Sequence, residues 1–296
     1  MNTTINDIPA GAVVVAVDGS EHANRAVVWA AEQAHLEERP LAVVHAAGHT
    51  VPDGDGVASR SEQDADASAE PVVRAAVELA TSTQAGLDVS GHTVVGDPRQ
   101  VLVEVSDRSY LIVMGSRGLG HFRSLLLGSV STEVARHAAC PVVVSRPAPP
   151  VFTKTGVVVG ADGTGESLPV LEFAFRQAAL RGLPLNVMHY YGDAAALGVR
   201  PSPLGPIDTE QLRVQLSDSI ADLVEKFPDV HVAIQVLHGI AEECLDRGAR
   251  PWDLVVVGRH SMDSDPRLLH SCVATAVLEH SQSTVAVVPE PSPVAG

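Results

Sequence analysis

Aromatic side chains are scarce in this 296-residue sequence: two Trp, three Tyr and five Phe make up only 3% of it. A core of stacked aromatics is therefore excluded, and packing must come from Ala, Val and Leu, as in helices laid on Val-rich strands. Bases are few as well. Twenty Lys and Arg face 36 Asp and Glu, a formal net charge of −16. Such a field repels nucleic-acid phosphates and anionic membranes, so any bound anion must be held by local geometry. Only three cysteines occur (Cys140, Cys244 and Cys272), with no short pairing, which points to reduced thiols rather than a disulfide framework. No apolar run approaches the ~20 residues of a membrane span. Met1 to Ala10 lacks the basic start and apolar stretch of a secretory signal. Hydrophobic residues nevertheless make up 45% and charged residues 19%, enough to bury real cores. The expectation is an acidic, soluble, cytoplasmic protein of about two domains, with neither nucleic-acid nor membrane partners.

What the sequence does have is an internal repeat. Val13-Val14-Val15-Ala16-Val17-Asp18-Gly19-Ser20 returns as Val157-Val158-Val159-Gly160-Ala161-Asp162-Gly163-Thr164, and Val43-Val44-His45 as Val187-Met188-His189, both 144 residues later. Ile112-Val113-Met114-Gly115 returns as Val255-Val256-Val257-Gly258, and Pro141-Val142-Val143-Val144 as Thr284-Val285-Ala286-Val287, both 143 residues later. Four blocks in one order at one offset mark a duplicated domain. The joint is Arg146-Pro147-Ala148-Pro149-Pro150, whose prolines favour an extended connection. Copy one spans about residues 10–146 and copy two about 154–289.

Each copy alternates strands and helices. Val13 to Val17 is a short continuous apolar run, as expected of a strand covered on both faces. Ala23, Ala26, Val27, Ala30, Ala31 and Ala34 then form one stripe of an amphipathic helix. Its partner carries Leu171, Ala174, Phe175, Ala178 and Ala179 and stops at Gly182. Strands are expected at 41–46 and 185–190, and a second helix in copy two over Leu216, Ile220, Leu223, Val224 and Phe227. An edge strand at 230–237 buries alternate residues. A helix after Pro98, a strand at 110–114, a helix from Gly128 and a strand at 141–145 complete copy one. The fold class is α/β: two tandem copies of a five-stranded, mostly parallel, doubly wound sheet with helices on both faces. Ligands of such sheets lie beyond the carboxyl ends of the strands where the winding reverses, here the loops after strands one and four.

The loop after strand four reads Gly115-Ser116-Arg117-Gly118-Leu119-Gly120-His121-Phe122-Arg123-Ser124-Leu125-Leu126-Leu127-Gly128-Ser129-Val130-Ser131. Gly115 and Gly118 permit a tight turn and close approach to a ligand. Gly128-Ser129 offers free amides at a helix start, and the hydroxyls of Ser129 and Ser131 add donors. Arg117, His121 and Arg123 bring positive charge with no acid between Arg117 and Ser124. A bare strand-to-helix connection is the alternative. The coincidence of strand, glycines, bases and Gly-Ser at the expected end of the sheet favours an anion site.

The spacing Gly-x2-Gly-x9-Gly-Ser, met by Gly115, Gly118, Gly128 and Ser129, resembles the ATP-binding signature of the universal stress proteins. Asp18 after strand one, His45 ending strand two and Cys140-Pro141-Val142-Val143-Val144 are similar to other marks of that family, in an actinobacterial tandem arrangement. The resemblance implies a Rossmann-like fold of the adenine nucleotide alpha hydrolase kind and a bound adenine nucleotide, ATP. It places the phosphates on Gly115, Gly118, Gly128, Ser129 and Ser131, with Val130 contributing backbone. Asp18 would face ribose and adenine, Ala46 would meet the adenine edge through its backbone, and Met114 would lie near the base. Arg117 joins this set on charge alone. The alternative for Asp18 is to cap the helix starting near Ser20, and the two roles are compatible. The resemblance also implies pairing of the two copies within a chain and a homodimer of chains. Magnesium beside the nucleotide is left open.

Copy two departs from this pattern. Gly118 becomes Ser261, Gly128 becomes Ser271, Ser129 becomes Cys272 and Ser131 becomes Ala274, while Asp263 and Asp265 offset Arg259 and Arg267. If the lost glycines need positive φ, each replacement strains the loop by ~1–2 kcal/mol. One nucleotide per chain, in copy one, is expected. The 13 histidines include no His-x3-His pair with an acid, so no metal site is expected. His45 and His189, at equivalent strand ends, suggest a structural hydrogen bond. Cys140 suits a small buried position. Pro52 to Glu70 and Tyr191 to Asp208 read as surface loops, either of which could cover the nucleotide. A Walker loop is lacking, and no carboxylate or Gln is evident to orient water. A nucleotide-dependent stress-response module is thus favoured over a weak ATP hydrolase or a dimerising scaffold with incidental nucleotide.

Overall fold

Val13, Val14 and Val15 have no polar side-chain atoms and are β-branched, so they favour a strand that can be covered on both faces. All three are fully buried in β1 (Val13–Ala16) of the computed structural model. The structure describes residues 3–47, 62–118, 127–147, 155–191, 208–238, 252–259 and 270–291. The chain divides into two compact units, Met1–Pro147 and Ala148–Gly296.

In unit 1, α1 (Glu21–Leu36) follows β1, capped by Ser20, whose hydroxyl accepts the Ala23 N–H at 3.1 Å. The Ala-Val stripe read from the sequence is its buried face, from Ala23 to Ala34. Then come β2 (Leu41–Ala47), α2 (Glu62–Thr83), β3 (Val89–Val95), α3 (Pro98–Ser106), β4 (Leu111–Gly115), α4 (Ser129–His137) and β5 (Val142–Ser145). The strands lie in the order β3-β2-β1-β4-β5, and every described pairing is parallel. Winding therefore reverses between β1 and β4, and a crevice opens beyond their carboxyl ends.

Unit 2 repeats the plan with β6 (Val157–Gly160), α5 (Leu168–Arg181), β7 (Leu185–Tyr191), α6 (Thr209–Ser219), α7 (Ala221–Lys226), β8 (Val232–His238), β9 (Leu254–Arg259), α8 (His270–His280) and β10 (Val285–Pro289). Its parallel order is β10-β9-β6-β7-β8. Two details recur 144 residues apart. His45 Nδ1 lies 2.7 Å from the Val17 carbonyl and His189 Nδ1 lies 3.0 Å from the Ala161 carbonyl, tying the ends of adjacent strands. Gln33 and Gln177 are both fully buried. Cys140 is a free, buried thiol.

Two expectations need correction. The stretch Pro52 to Glu70 is not loop throughout: α2 begins at Glu62. Its first turns are rich in Ala, Glu, Gln and Asp, good formers or acids suited to a helix N-terminus, and they outweigh Pro71. Residues 48–61 lie outside the described residues, as do 192–207 of the matching stretch. The single helix over Leu216 to Phe227 is two, broken at Ile220 (φ −105, ψ 1). The break buries Leu216, Ile220 and Leu223, leaves Val224 exposed, and lets Phe227 stack on Phe175 beyond the helix end.

Helix α5 ends as the sequence predicts, on Gly182 in the left-handed conformation (φ +60) with open space where a Cβ would stand. Gly182→Ala is expected to destabilise unit 2 by about 1 kcal/mol through backbone strain alone, and Gly182→Asn by less. Urea unfolding of the three chains measures this.

Candidate functional site

A cavity of about 760 Å³ occupies the crevice of unit 1. Asp18, Ala46, Met114, Gly115, Arg117, Gly118, Gly128, Ser129, Val130 and Ser131, all ten residues singled out from the sequence, line it. They come from the ends of β1, β2 and β4 and the first turn of α4, which only the parallel winding brings together. His121 and Arg123, singled out for their charge, lie outside the described residues.

The β4–α4 wall is built differently from the sequence expectation. Gly115, Gly118 and Gly128 do not have positive φ, so strain on that account is not what their replacement would cost. Room is the issue. A Cβ on Gly115 would stand 2.7–2.8 Å from the backbone C and O of His22, so glycine here admits the first turn of α1. A Cβ on Gly118 would strike the Asp18 carboxylate. At Gly128 the nearest atoms would be 3.7–3.8 Å away, an ordinary contact, so no neighbour within the fold requires glycine there.

Two of the expected anion donors are also already committed. The Gly128 N–H donates to the Ser116 carbonyl at 2.9 Å, and the Ser131 hydroxyl, nearly buried, donates to the Gly115 carbonyl at 2.9 Å. These bonds strap the start of α4 to the end of β4. What stays available follows from helix geometry. The Thr132 N–H makes the first helical bond, to Gly128, and no side chain caps the helix. The N–H groups of Ser129, Val130 and Ser131 are thus left without intrahelical acceptors, at the positive end of the helix dipole. Arg117, exposed beside them, adds a full positive charge.

Opposite stands the β1–α1 turn. Asp18 Oδ1 accepts the Ser20 N–H at 2.9 Å. Ser20, not Asp18, caps α1, so the capping reading of Asp18 does not hold. His22 lines the same wall, with Nδ1 3.2 Å from Ser116 Oγ. Burial first, then the Arg25 and Arg117 guanidinium groups, hold its pKa below the ordinary value against the opposing pull of Glu21 and Asp18. The imidazole is consequently neutral at neutral pH.

The rest of the lining is apolar: Ala16, Val17, Ala23, Val44, Pro98, Leu102, Met114 and Leu127. Apart from Met114, none of these was singled out from the sequence, nor was His22. Pro98 and Leu102 belong to the first turns of α3, capped by Asp97, whose side chain accepts the Arg99 N–H at 2.9 Å. A helix start after a parallel strand was the available signal.

Backbone parity adds a recognition edge. The Val44 carbonyl accepts the Val17 N–H, so residue 44 faces β1, while the Ala47 carbonyl accepts the Gly96 N–H on the opposite side. By alternation, Ala46 turns both its N–H and its C=O toward the β1 side, past the end of β1 at Ala16. A donor and an acceptor of Ala46, a residue that lines the cavity, therefore stand together on that side.

Unit 2 differs from unit 1 at several of these positions where it is described. Helix α8 begins at His270, so Ser271, the counterpart of Gly128, lies inside the helix instead of capping it. Gly258, counterpart of Gly115, packs against the Glu290 carboxylate rather than a helix turn. His22 is matched by Glu166. Ser261, Asp263, Asp265 and Arg267 lie outside the described residues. Among the described residues no cluster of His, Cys, Asp or Glu could hold a metal ion, and no helix is long and apolar enough to cross a membrane.

Fold and crevice together define a tandem of doubly wound α/β units, one carrying an anion-ready helix start beside an apolar slot. The chain belongs to the Universal stress protein family, whose model matches residues 10–146 and again 155–289. A universal stress protein of Mycobacterium tuberculosis is 30% identical over 289 residues, covering 93% of this chain and 96% of the relative. One from Mycolicibacterium smegmatis is 30% identical over 291 residues with the same coverage. The crystal structure of a universal stress protein from Archaeoglobus fulgidus superposes with a TM-score of 0.70 at 19% identity, over 94% of this chain and 96% of that one, and shares the fold.

The three glycines should separate in stability. Gly115→Ala is expected to cost about 2–3 kcal/mol, because helix backbone must move. Gly118→Ala, which displaces only a carboxylate, and Gly128→Ala, which weakens only the cap, should each cost about 1 kcal/mol or less. Thermal unfolding of the three variants tests the order.

Proposed function

We propose that unit 1 binds an adenine nucleotide, with ATP the preferred ligand, and that the chain works as a nucleotide-dependent stress-response module. One observation carries this reading: three helix-start amides without intrahelical acceptors, a set of apolar side chains and a donor–acceptor backbone edge all share one cavity. The amides of Ser129, Val130 and Ser131, with Arg117, suit phosphate oxygens. Val44, Leu102 and Met114 suit the faces of a purine, and the Ala46 backbone suits the adenine amino group and the ring nitrogen beside it. Gly118 and Gly128 keep the intervening wall bare.

Binding accounts for the residues better than turnover does. Asp18 is the sole carboxylate among the described lining residues, and one of its oxygens is already occupied by the Ser20 amide. No Gln lines the cavity to orient an attacking water. Magnesium would accordingly arrive with the nucleotide's phosphates rather than in a metal site made by the protein. A bound nucleotide can act as a signal only by favouring one conformation of the β4–α4 wall over another.

The test is titration calorimetry of nucleotide-free full-length chain with ATP. One equivalent per chain is expected, weakened about tenfold or more by Gly118→Ala and by Gly128→Ala. Two comparable sites per chain would overturn the assignment to unit 1 alone. No binding at all would leave the scaffold reading.

A further inference from the structure

His22 is a protonatable group on the phosphate side of the crevice that the family signature does not include. Its position is set by packing. The first turn of α1 sits so tightly on Gly115 that a Cβ there would stand 2.8 Å from the His22 Cβ. The ring is held by Ser116 Oγ at 3.2 Å from Nδ1. Ser116 is 1% exposed, so the pair cannot serve as nucleophile and base toward a ligand. That leaves Nε2 as the ring nitrogen without a described partner, on a residue that lines the cavity with Arg117 and the α4 amides. In unit 2 the same position carries a fixed acid, Glu166.

We propose that His22 couples the unit 1 crevice to pH: a phosphorylated ligand seated there draws a proton from solvent onto the imidazole, and binding tightens as the pH falls. The inference rests on the nucleotide reading of the cavity. Among the described residues, the charged groups facing His22 are Glu21 and Arg25 on its own helix, Asp18 from the β1–α1 turn and Arg117 from the β4–α4 loop. The described first turn of α4 contributes hydroxyls and amides but no charge. In the empty crevice, burial and the two guanidinium groups keep the ring neutral. Phosphate oxygens entering beside Arg117 offset that positive charge and favour imidazolium. The bound form then holds more protons than the free form between the lowered free value and the raised bound value. Affinity therefore grows as pH falls through that window and levels off below it. The coupling favours phosphorylated ligands over the bare nucleoside under mild acid, the regime in which an ordinary histidine titrates.

Titration calorimetry of nucleotide-free full-length protein tests this with ATP, and with adenosine as the phosphate-free probe, at about pH 6 and about pH 8 in buffers of different ionisation enthalpy. Between these pH values the wild type is expected to gain at least about threefold more ATP affinity than His22→Gln, with the additional proton uptake absent from the variant. The ligand's own titration is common to both chains and cancels. Adenosine should show no such gain. Equal pH dependence in the two chains overturns the coupling while leaving the nucleotide site standing, whereas failure of wild type to bind ATP overturns both. Should His22→Gln fold poorly or lose binding, histidine NMR of the wild type decides: the His22 pKa must rise when ATP is added, and an unmoved value refutes the proposal.

Discussion

The crevice depends on two hydrogen bonds that strap the start of α4 to the end of β4: Gly128 N–H to the Ser116 carbonyl and the Ser131 hydroxyl to the Gly115 carbonyl. They satisfy groups that would otherwise compete for a ligand, and they fix the direction in which the helix begins. Because neither reaches the N–H groups of Ser129, Val130 and Ser131, the strap leaves these donors at a positive helix terminus, where an anion is the complementary partner. A protein of net charge −16 thereby keeps one locally positive wall.

Duplication gives an internal control on this arrangement. Both units share the strand order, the Asp-Gly turn after the first strand and the histidine that ties neighbouring strand ends. These features belong to the scaffold. They differ where the crevice of unit 1 gets its chemistry: unit 2 starts its last helix earlier, sets a carboxylate against its retained glycine and carries Glu166 in place of His22. One fold can thus carry different residues around its crevice, because strand burial and the strand-four loop place separate demands on the sequence.

Much of the fold was legible because its signals are local. Continuous Val runs, the 3.6-residue stripe from Ala23 to Ala34 and Gly182 at a helix end each report on a few neighbouring residues. The readings that failed depended on distant partners. The break at Ile220 serves the burial of Leu216, Ile220 and Leu223, and the early start of α2 overrode the acid-rich, loop-like appearance of residues 62–70. In the candidate site, the Gly-rich loop and Asp18 were legible from motif spacing. His22, Pro98 and Leu102 were not, since each reaches the cavity from a helix whose docking no single segment encodes.

The sequence alone determined the duplication, the parallel α/β class and the glycine-bearing segment that lines the crevice, because these are written in short spacings and in residue chemistry. Tertiary structure decided why the glycines matter. At Gly115 and Gly118 the reason is not backbone torsion but the approach of His22 and Asp18, which lie about a hundred positions away in the chain. It also decided which donors remain available, because a hydroxyl or amide is open to a ligand only if the folded chain has not already supplied its acceptor.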